Sequence, residues 1–300
     1  MKLFTFKDFQ QKFPDDSACL DWLFNHFYPN GVHCKKCNRI TNHYRAADRP
    51  SYCCANCGNH VHPTADTILH KSSTSLTTWF YASYLMASTR CGISAKQIQR
   101  ETGVSYKTAW RMFKQIRKLM DEGGSLGGLT VEMDETYIGA PLRNKHQRRL
   151  KQGTYKDKQP VFGMVERGGR VIAKVTPDAK TGTIMPIISE YVLPATTVYT
   201  DCYATYDHLG ELPQGYKHSR INHSARVYVM GDVHTNTIEG LWSLLKRGIG
   251  GVYHAVSTKH LQSYCDEYSF RYNHRKDEQP MFLTLLNRIE KQEKVSEIPF

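Results

Sequence analysis

No stretch of the 300 residues approaches the roughly 20 consecutive apolar side chains that a bilayer-crossing helix needs, so no membrane span is expected. The first residues, MKLFTFKDFQQKF, hold neither a continuous apolar run nor a small-residue cleavage site, which argues against a secretory leader. Internal repeats and low-complexity tracts are missing too. Acidic side chains are in the minority, 28 Asp and Glu against 40 Lys and Arg, for a formal net charge of +12. An excess of that size favours a polyanionic partner, nucleic acid ahead of an anionic membrane surface. The length suits two domains, or one domain with a small appendage.

Cysteine is not scarce. Nine cysteines without a leader read as thiols and metal ligands in a reducing cytoplasm, not as disulfides. Cys19, Cys91, Cys202 and Cys265 are scattered and read as buried, inert side chains. The other informative four form two close pairs, Cys34-Lys-Lys-Cys37 and Cys54-Ala-Asn-Cys57, with 16 residues between them. This is the ribbon spacing of a structural zinc site. Each CxxC turn faces two thiolates toward one ion, and two turns complete a tetrahedron with no position left for water. One Zn2+ is therefore expected to hold a fold together and to do no chemistry. Cys53, His60 and His62 stand as alternative ligands.

Along the chain, residues 5 to 28 read as one or two short helices leading into the ribbon, and LTTWFYASYLMASTR as a longer helix. GISAKQIQRETGVSYKTAWRMFKQIRKLM, residues 92 to 120, reads as helix, turn, helix. Ser94 and Ser105 are the caps, Gly103 is the turn, and Ala109, Met112, Phe113 and Ile116 form the buried stripe. Lys107, Arg111, Lys114, Arg117 and Lys118 decorate the second helix. Together these features favour DNA binding over an ordinary helical hairpin with a solvated face.

DEGGSLGG, residues 121 to 128, reads as a linker. Beyond it the pattern turns to strands in LTVEMDETYI, PVFGMVE and RVIAKVT. A helix (TGTIMPIISEYV) follows, then strands ending in TTVYTD and around His218 to Ile221. Helices are expected over about 235 to 247, 257 to 273 and 279 to 294. This run is the order of a ribonuclease-H-like domain, an α/β fold with a mixed five-stranded sheet. The expected organisation is N-terminal helices and zinc ribbon over 1–70, a helix-turn-helix region over 71–122, the ribonuclease-H-like domain over 128–275, and a C-terminal helix over 276–300.

Metal-assisted phosphoryl transfer on nucleic acid needs carboxylates converging on divalent cations, two of them about 3.5–4 Å apart in many such sites. Asp134 ends the first predicted strand, Asp201 ends the strand after the first helix, and Glu239 lies on a helix. In this topology the first and fourth strands are neighbours, which would bring Asp134 and Asp201 together. Each carboxylate alone has an ordinary explanation as a cap, a turn or a surface charge; three at these topological positions are harder to dismiss. Glu135 ranks behind Asp134 because alternation turns it to the other face. Lys246, seven residues after Glu239, shares its helix face and is placed to hold a DNA phosphate. A second basic cluster, Arg143, Lys145, Arg148, Arg149, Lys151, Lys156 and Lys158, is either a solvated loop or a further DNA contact.

GVHCKKC with the second CxxC, LTTWF, GISAKQIQRETGVSYKTAW, MDETYIGA, YTDCYATY and HTNTIEGLWSLLKRGIGGVYHAVSTKHLQSYCDEYSFRYNHR carry a resemblance over nearly the whole chain. The sequence resembles bacterial insertion-sequence DDE transposases of the ISXO-like group with an N-terminal zinc ribbon. Ala140 and Asp66 stand where the group commonly has glycine, and some members carry Asn at the third acidic position, which makes Asn236 the alternative to Glu239. The resemblance implies a catalytic triad of Asp134, Asp201 and Glu239 binding two Mg2+ or Mn2+ ions, with Lys246 as the basic residue that follows. It also implies double-stranded DNA as partner, both transposon ends and target, and a homodimer or larger assembly on it. A DNA-binding regulator with an idle triad, and a nuclease without strand transfer, are the competing functions.

Overall fold

The computed structural model describes residues 4–128, 130–139, 158–222, 229 and 231–291. The chain divides into two compact units, residues 1–89, 95–119 and 277–300 in the first and 90–94 with 120–276 in the second. No helix among the described residues is long and apolar enough to cross a membrane.

The first unit begins with two capped helices. Helix α1 (Phe6–Lys12) opens on a capping box in which the Thr5 hydroxyl accepts from the Asp8 backbone N–H and the Asp8 carboxylate accepts from that of Thr5. In α2 (Asp16–Phe27) the Asp15 carboxylate accepts from the Ala18 backbone N–H at 2.8 Å. Short antiparallel strands follow: β1 (Val32–Cys34) pairs with β2 (Arg39–Thr41), and β3 (His43–Arg45), β4 (Tyr52–Cys54) and β5 (His60–Val61) form a second sheet. Tyr52 stacks on Phe24 of α2 with ring centroids 3.8 Å apart, which fastens the second sheet to the helix.

Helix α3 (Leu76–Ser88) buries Trp79 and Phe80, and Phe13 meets Phe80 edge-on at 4.9 Å. Helices α4 (Ala95–Thr102) and α5 (Tyr106–Lys118) are joined through Gly103, whose φ of +70° is a left-handed conformation that glycine adopts without strain. Ser105 caps α5, accepting from Thr108 N at 3.2 Å, and Ala109, Met112, Phe113 and Ile116 are all buried.

The second unit is built on a mixed five-stranded sheet. Strands β6 (Thr130–Ile138), β7 (Gln159–Glu166) and β8 (Val171–Val175) run antiparallel in sequence. After α6 (Thr181–Tyr191), β9 (Thr197–Asp201) and β10 (Lys217–Ile221) add on the other side, parallel to β6, giving the order β10-β9-β6-β7-β8. Helices α7 (Asn236–Gly248) and α8 (Thr258–Asn273) complete the unit, and α9 (Met281–Asn287) belongs to the first. The helix expected over 279 to 294 thus ends seven residues early, at Asn287.

Alternation along β6 divides the core in two. Val131 and Met133 join Phe162, Met164, Ile184 and Ile188 in one cluster, on the α6 side. Ile138 joins Val161, Val165, Ile238 and Leu241 in the other, on the side of α7 and α8. Residues Pro160 to Val165 of β7 are buried without interruption because both sheet faces are covered. The glycine-rich stretch before β6 is anchored rather than free. Leu126 is fully buried, its N–H donates to the Tyr191 carbonyl, and its own carbonyl accepts from Leu193 N.

Candidate metal centres

The sulfurs of Cys34, Cys37, Cys54 and Cys57 all lie within 4.8 Å of one another. Cys34 to Cys57 is 3.5 Å and Cys37 to Cys54 is 3.8 Å. Four thiolates about 2.3 Å from one zinc ion stand roughly 3.8 Å apart, so the donor set and its spacing fit Zn2+. The Thr41 hydroxyl, 3.2 Å from Cys54 Sγ, leads the interactions that draw that thiol down to about 5. The Cys57 sulfur at its side pushes Cys37 up to about 12, because sulfurs this close are not all anionic unless a cation sits among them. Cys53 lies on the opposite face of β4, its sulfur 3.2 Å from His60 Nε2, so neither belongs to the cluster.

The carboxylate site is positioned by strand register. Strands β6 and β9 pair in parallel as Thr130 with Thr197, Val131 with Val198 and Glu132 with Tyr199. Carried on at the same offset, that register sets Asp134, which lies in the middle of β6 and not at its end, level with Asp201, two residues beyond the last β6–β9 pair and on the same face. Helix α7 covers this face, and its Trp242 donates an indole N–H to Asp134 Oδ2 at 2.9 Å. Glu239 precedes Trp242 by one turn on the same helix and is exposed, and Lys246 is exposed two turns further on. Asp201 Oδ1 accepts from Tyr203 N at 2.9 Å, and Glu239 Oε1 accepts from the Thr235 hydroxyl at 3.1 Å.

Electrostatics tie the three together. Burial pushes Asp134 up to about 6, with the Trp242 hydrogen bond opposing and the charges of Asp201 and Glu239 adding to the rise. Among the described residues only the four cysteines form a cluster of ligand atoms within 4.8 Å. The carboxylates are near enough to repel but not drawn to that spacing. A carboxylate that feels the charge of two others is a donor set of the kind that suits a hard divalent cation. Glu135 faces the α6 side, close to Tyr206, and burial holds it up at about 7.

Two features of this site escape a reading of the sequence. Trp242 has room because the cross-strand neighbour of Asp134 on β7 is Gly163: a Cβ there would meet the Trp242 ring at 2.4 Å. Glu132, fully buried on the Asp134 face, bonds Arg167 and the start of α7. The available signal was a charged residue at an inward position of an apolar strand, which demands a partner.

The basic residues divide. Lys107, Arg111, Lys114 and Lys118 are exposed at spacings of four, three and four, one stripe along α5. Arg117 does not share it; the residue is buried, with its guanidinium 3.7 Å from the centre of the Phe113 ring. Arg143, Lys145, Arg148, Arg149, Lys151 and Lys156 lie outside the described residues. Cys19 and Cys265 are buried as expected, whereas Cys91 and Cys202 are exposed.

Comparison with known proteins gives this arrangement a family. Residues 125–273 match the ISXO2-like transposase domain, and residues 14–60 match the transposase zinc-ribbon domain. The chain is 30% identical over 257 residues to a protein in transposable element ISH50 of Halobacterium salinarum, covering 81% of this chain and 85% of that protein. It is 32% identical over 104 residues to a transposase-like protein of Haemophilus influenzae, covering 35% of this chain and 81% of the relative. Among solved structures, a simian T-cell lymphotropic virus intasome in complex with a PP2A regulatory subunit aligns over 73% of this chain and 77% of the other. Its 12% identity and TM-score of 0.32 are too slight to bear on fold or function. With both domains matched and the first relative aligned over most of its length, the chain belongs to the ISXO2-like transposase family.

Proposed function

We propose that this transposase cleaves DNA at the ends of its element and joins the freed ends to target DNA, with Asp134, Asp201 and Glu239 as the metal-binding triad. The observation that carries the reading is the parallel register of β6 and β9, which two residues on sets Asp134 level with Asp201, with Glu239 one turn from the tryptophan that holds Asp134. The sheet order, with three antiparallel strands flanked by two parallel to the first, supports a ribonuclease-H-like core.

Two Mg2+ or Mn2+ ions bound there would supply Lewis acidity to the scissile phosphate and a water activated for attack. The residues of the chain do the rest. Trp242 donates to one oxygen of Asp134 and so fixes the carboxylate against the helix. Asp201 is steadied by its hydrogen bond from Tyr203, and exposed Glu239 closes the site from the helix. Lys246 reaches a phosphate of the bound strand. In the first step water attacks phosphorus and a 3′-hydroxyl leaves; in the second that hydroxyl attacks a target phosphodiester, whose own 3′-oxygen leaves. Neither step needs a covalent protein–DNA bond, so Tyr137 and Tyr203 need not act as nucleophiles.

Helices α4 and α5 form the helix-turn-helix, which with the zinc ribbon recognises the element's ends, and the protein acts on paired ends as a dimer or larger assembly. Replacing Lys107, Arg111 and Lys114 by Ala should weaken binding to all duplex sequences and lower the salt slope by roughly 0.9 for each phosphate no longer neutralised. Filter binding from 50 to 200 mM salt reads this, and an unchanged slope would remove α5 from the interface. The function itself is tested by incubating the full chain with duplex bearing the element's ends, a plasmid target and Mg2+. Joined products are expected; tight binding without cleavage would make the protein a DNA-binding regulator.

A further inference from the structure

Helix α7 carries Glu239, yet its own N-cap does not close it. Thr235 makes no capping hydrogen bond to the helix backbone; its hydroxyl is turned to Glu239. The open N–H groups are met instead from the sheet. Glu132 Oε2 accepts from the backbone N–H of Thr237 at 2.8 Å and of Ile238 at 3.2 Å. Its other oxygen, Oε1, accepts from the Thr237 hydroxyl at 2.8 Å and from Arg167 Nε at 2.7 Å. His234 Nδ1 stands 3.2 Å from the same oxygen, off the line of a hydrogen bond.

Arg167 extends the grip. Its Nη1 donates to the Asp232 carbonyl at 2.7 Å and its Nη2 to the His234 carbonyl at 3.1 Å, while the ring of Tyr199 lies 4.8 Å from the guanidinium carbon. One ion pair, between fully buried Glu132 and half-buried Arg167, therefore fixes both the segment leading into α7 and its first turn. The register matters: Glu132 is two residues before Asp134 on the same strand face, and Thr237 is two residues before Glu239.

We infer that Glu132, held by Arg167, is a positioning residue that sets the distance between Asp134 and Glu239 and so the metal affinity of the triad. This rests on the triad reading above. A buried carboxylate on a helix N-terminus would stabilise the helix wherever it occurred. Here its anchor is the strand that bears the first metal ligand, so slack in the clamp transfers to the spacing of the ligands. Supporting groups of this kind typically alter metal affinity 10–100-fold when removed.

The test is titration of the zinc-loaded full chain with Mn2+ alone, followed by electron paramagnetic resonance, alongside amide exchange at Thr237 and Ile238. Glu132→Gln, which has one acceptor oxygen where the helix amides and Arg167 need two, should weaken Mn2+ binding about 10-fold or more and lower the protection of both amides. Thr237→Val should weaken it in the same sense, and Thr237→Ser, which restores the hydroxyl, should recover the wild-type value; this pair decides the matter if Glu132→Gln fails to fold. Asp134→Asn serves as the reference. If it abolishes Mn2+ binding while Thr237→Val and a folded Glu132→Gln bind as wild type, the positioning role falls and the triad stands. If Asp134→Asn also binds as wild type, both fall.

Discussion

Asp134→Asn should abolish divalent-dependent DNA cleavage while leaving a folded protein. The amide is nearly the size of the carboxylate and keeps an oxygen to accept the Trp242 indole N–H. What it lacks is the negative charge that binds a cation. Several kcal/mol of transition-state stabilisation depend on such ions, and about 1.4 kcal/mol is a factor of ten, so a loss of roughly 10³-fold or more is expected. Thermal unfolding of the zinc-loaded variant without Mg2+ or Mn2+ should be no lower than wild type, because the substitution removes repulsion from Asp201 and Glu239.

The pH dependence has a definite sign. Burial holds Asp134 protonated up to about 6, above its ordinary carboxylate value, so Mn2+ binding should strengthen as pH rises through 6. Stability of the zinc-loaded protein without Mg2+ or Mn2+ moves the other way. A raised folded-state pKa favours the fold at low pH, and that contribution is lost as pH climbs from about 4 through 6. Cleavage by Asp134→Asn within a factor of a few of wild type would remove Asp134 from the chemistry.

The double substitution Cys34→Ser and Cys57→Ser should release zinc and melt the ribbon. The strands β1 to β5 are only two or three residues long, and no sheet of that size holds itself together in water. Metal binding of about 10–16 kcal/mol at pH 7 is the folding energy of such modules. Zinc content by mass spectrometry should fall from one ion to none, with loss of the Tyr52 stacking on Phe24. Cys53→Ser is the sharp control: its sulfur faces His60, outside the cluster, and its zinc content should stay at one. Zinc retained by the double variant would mean that other ligands hold it.

Much of this is legible in the sequence because two periodicities leave clear marks. Val131 and Met133 alternating with Glu132 and Asp134 announce a strand with two distinct faces, and Gly103 between two apolar stripes announces a turn between helices. The cysteine pairs carry their own geometry in their spacing. Long-range pairings are less accessible. That Gly163 makes room for Trp242 depends on cross-strand register, which no local window contains. The same holds for Glu132, whose partners lie 35 and 105 residues away. Arg117 misleads because a cation every three or four residues looks like one stripe, whereas the helix turns this one inward onto Phe113.

Anomalous diffraction from crystals of the full chain soaked in Mn2+ tests whether three distant carboxylates share divalent cations. Peaks bounded by Asp134, Asp201 and Glu239 are predicted, together with a zinc peak among the four cysteines. Manganese bound elsewhere, with those three side chains unengaged, would rule out the shared site.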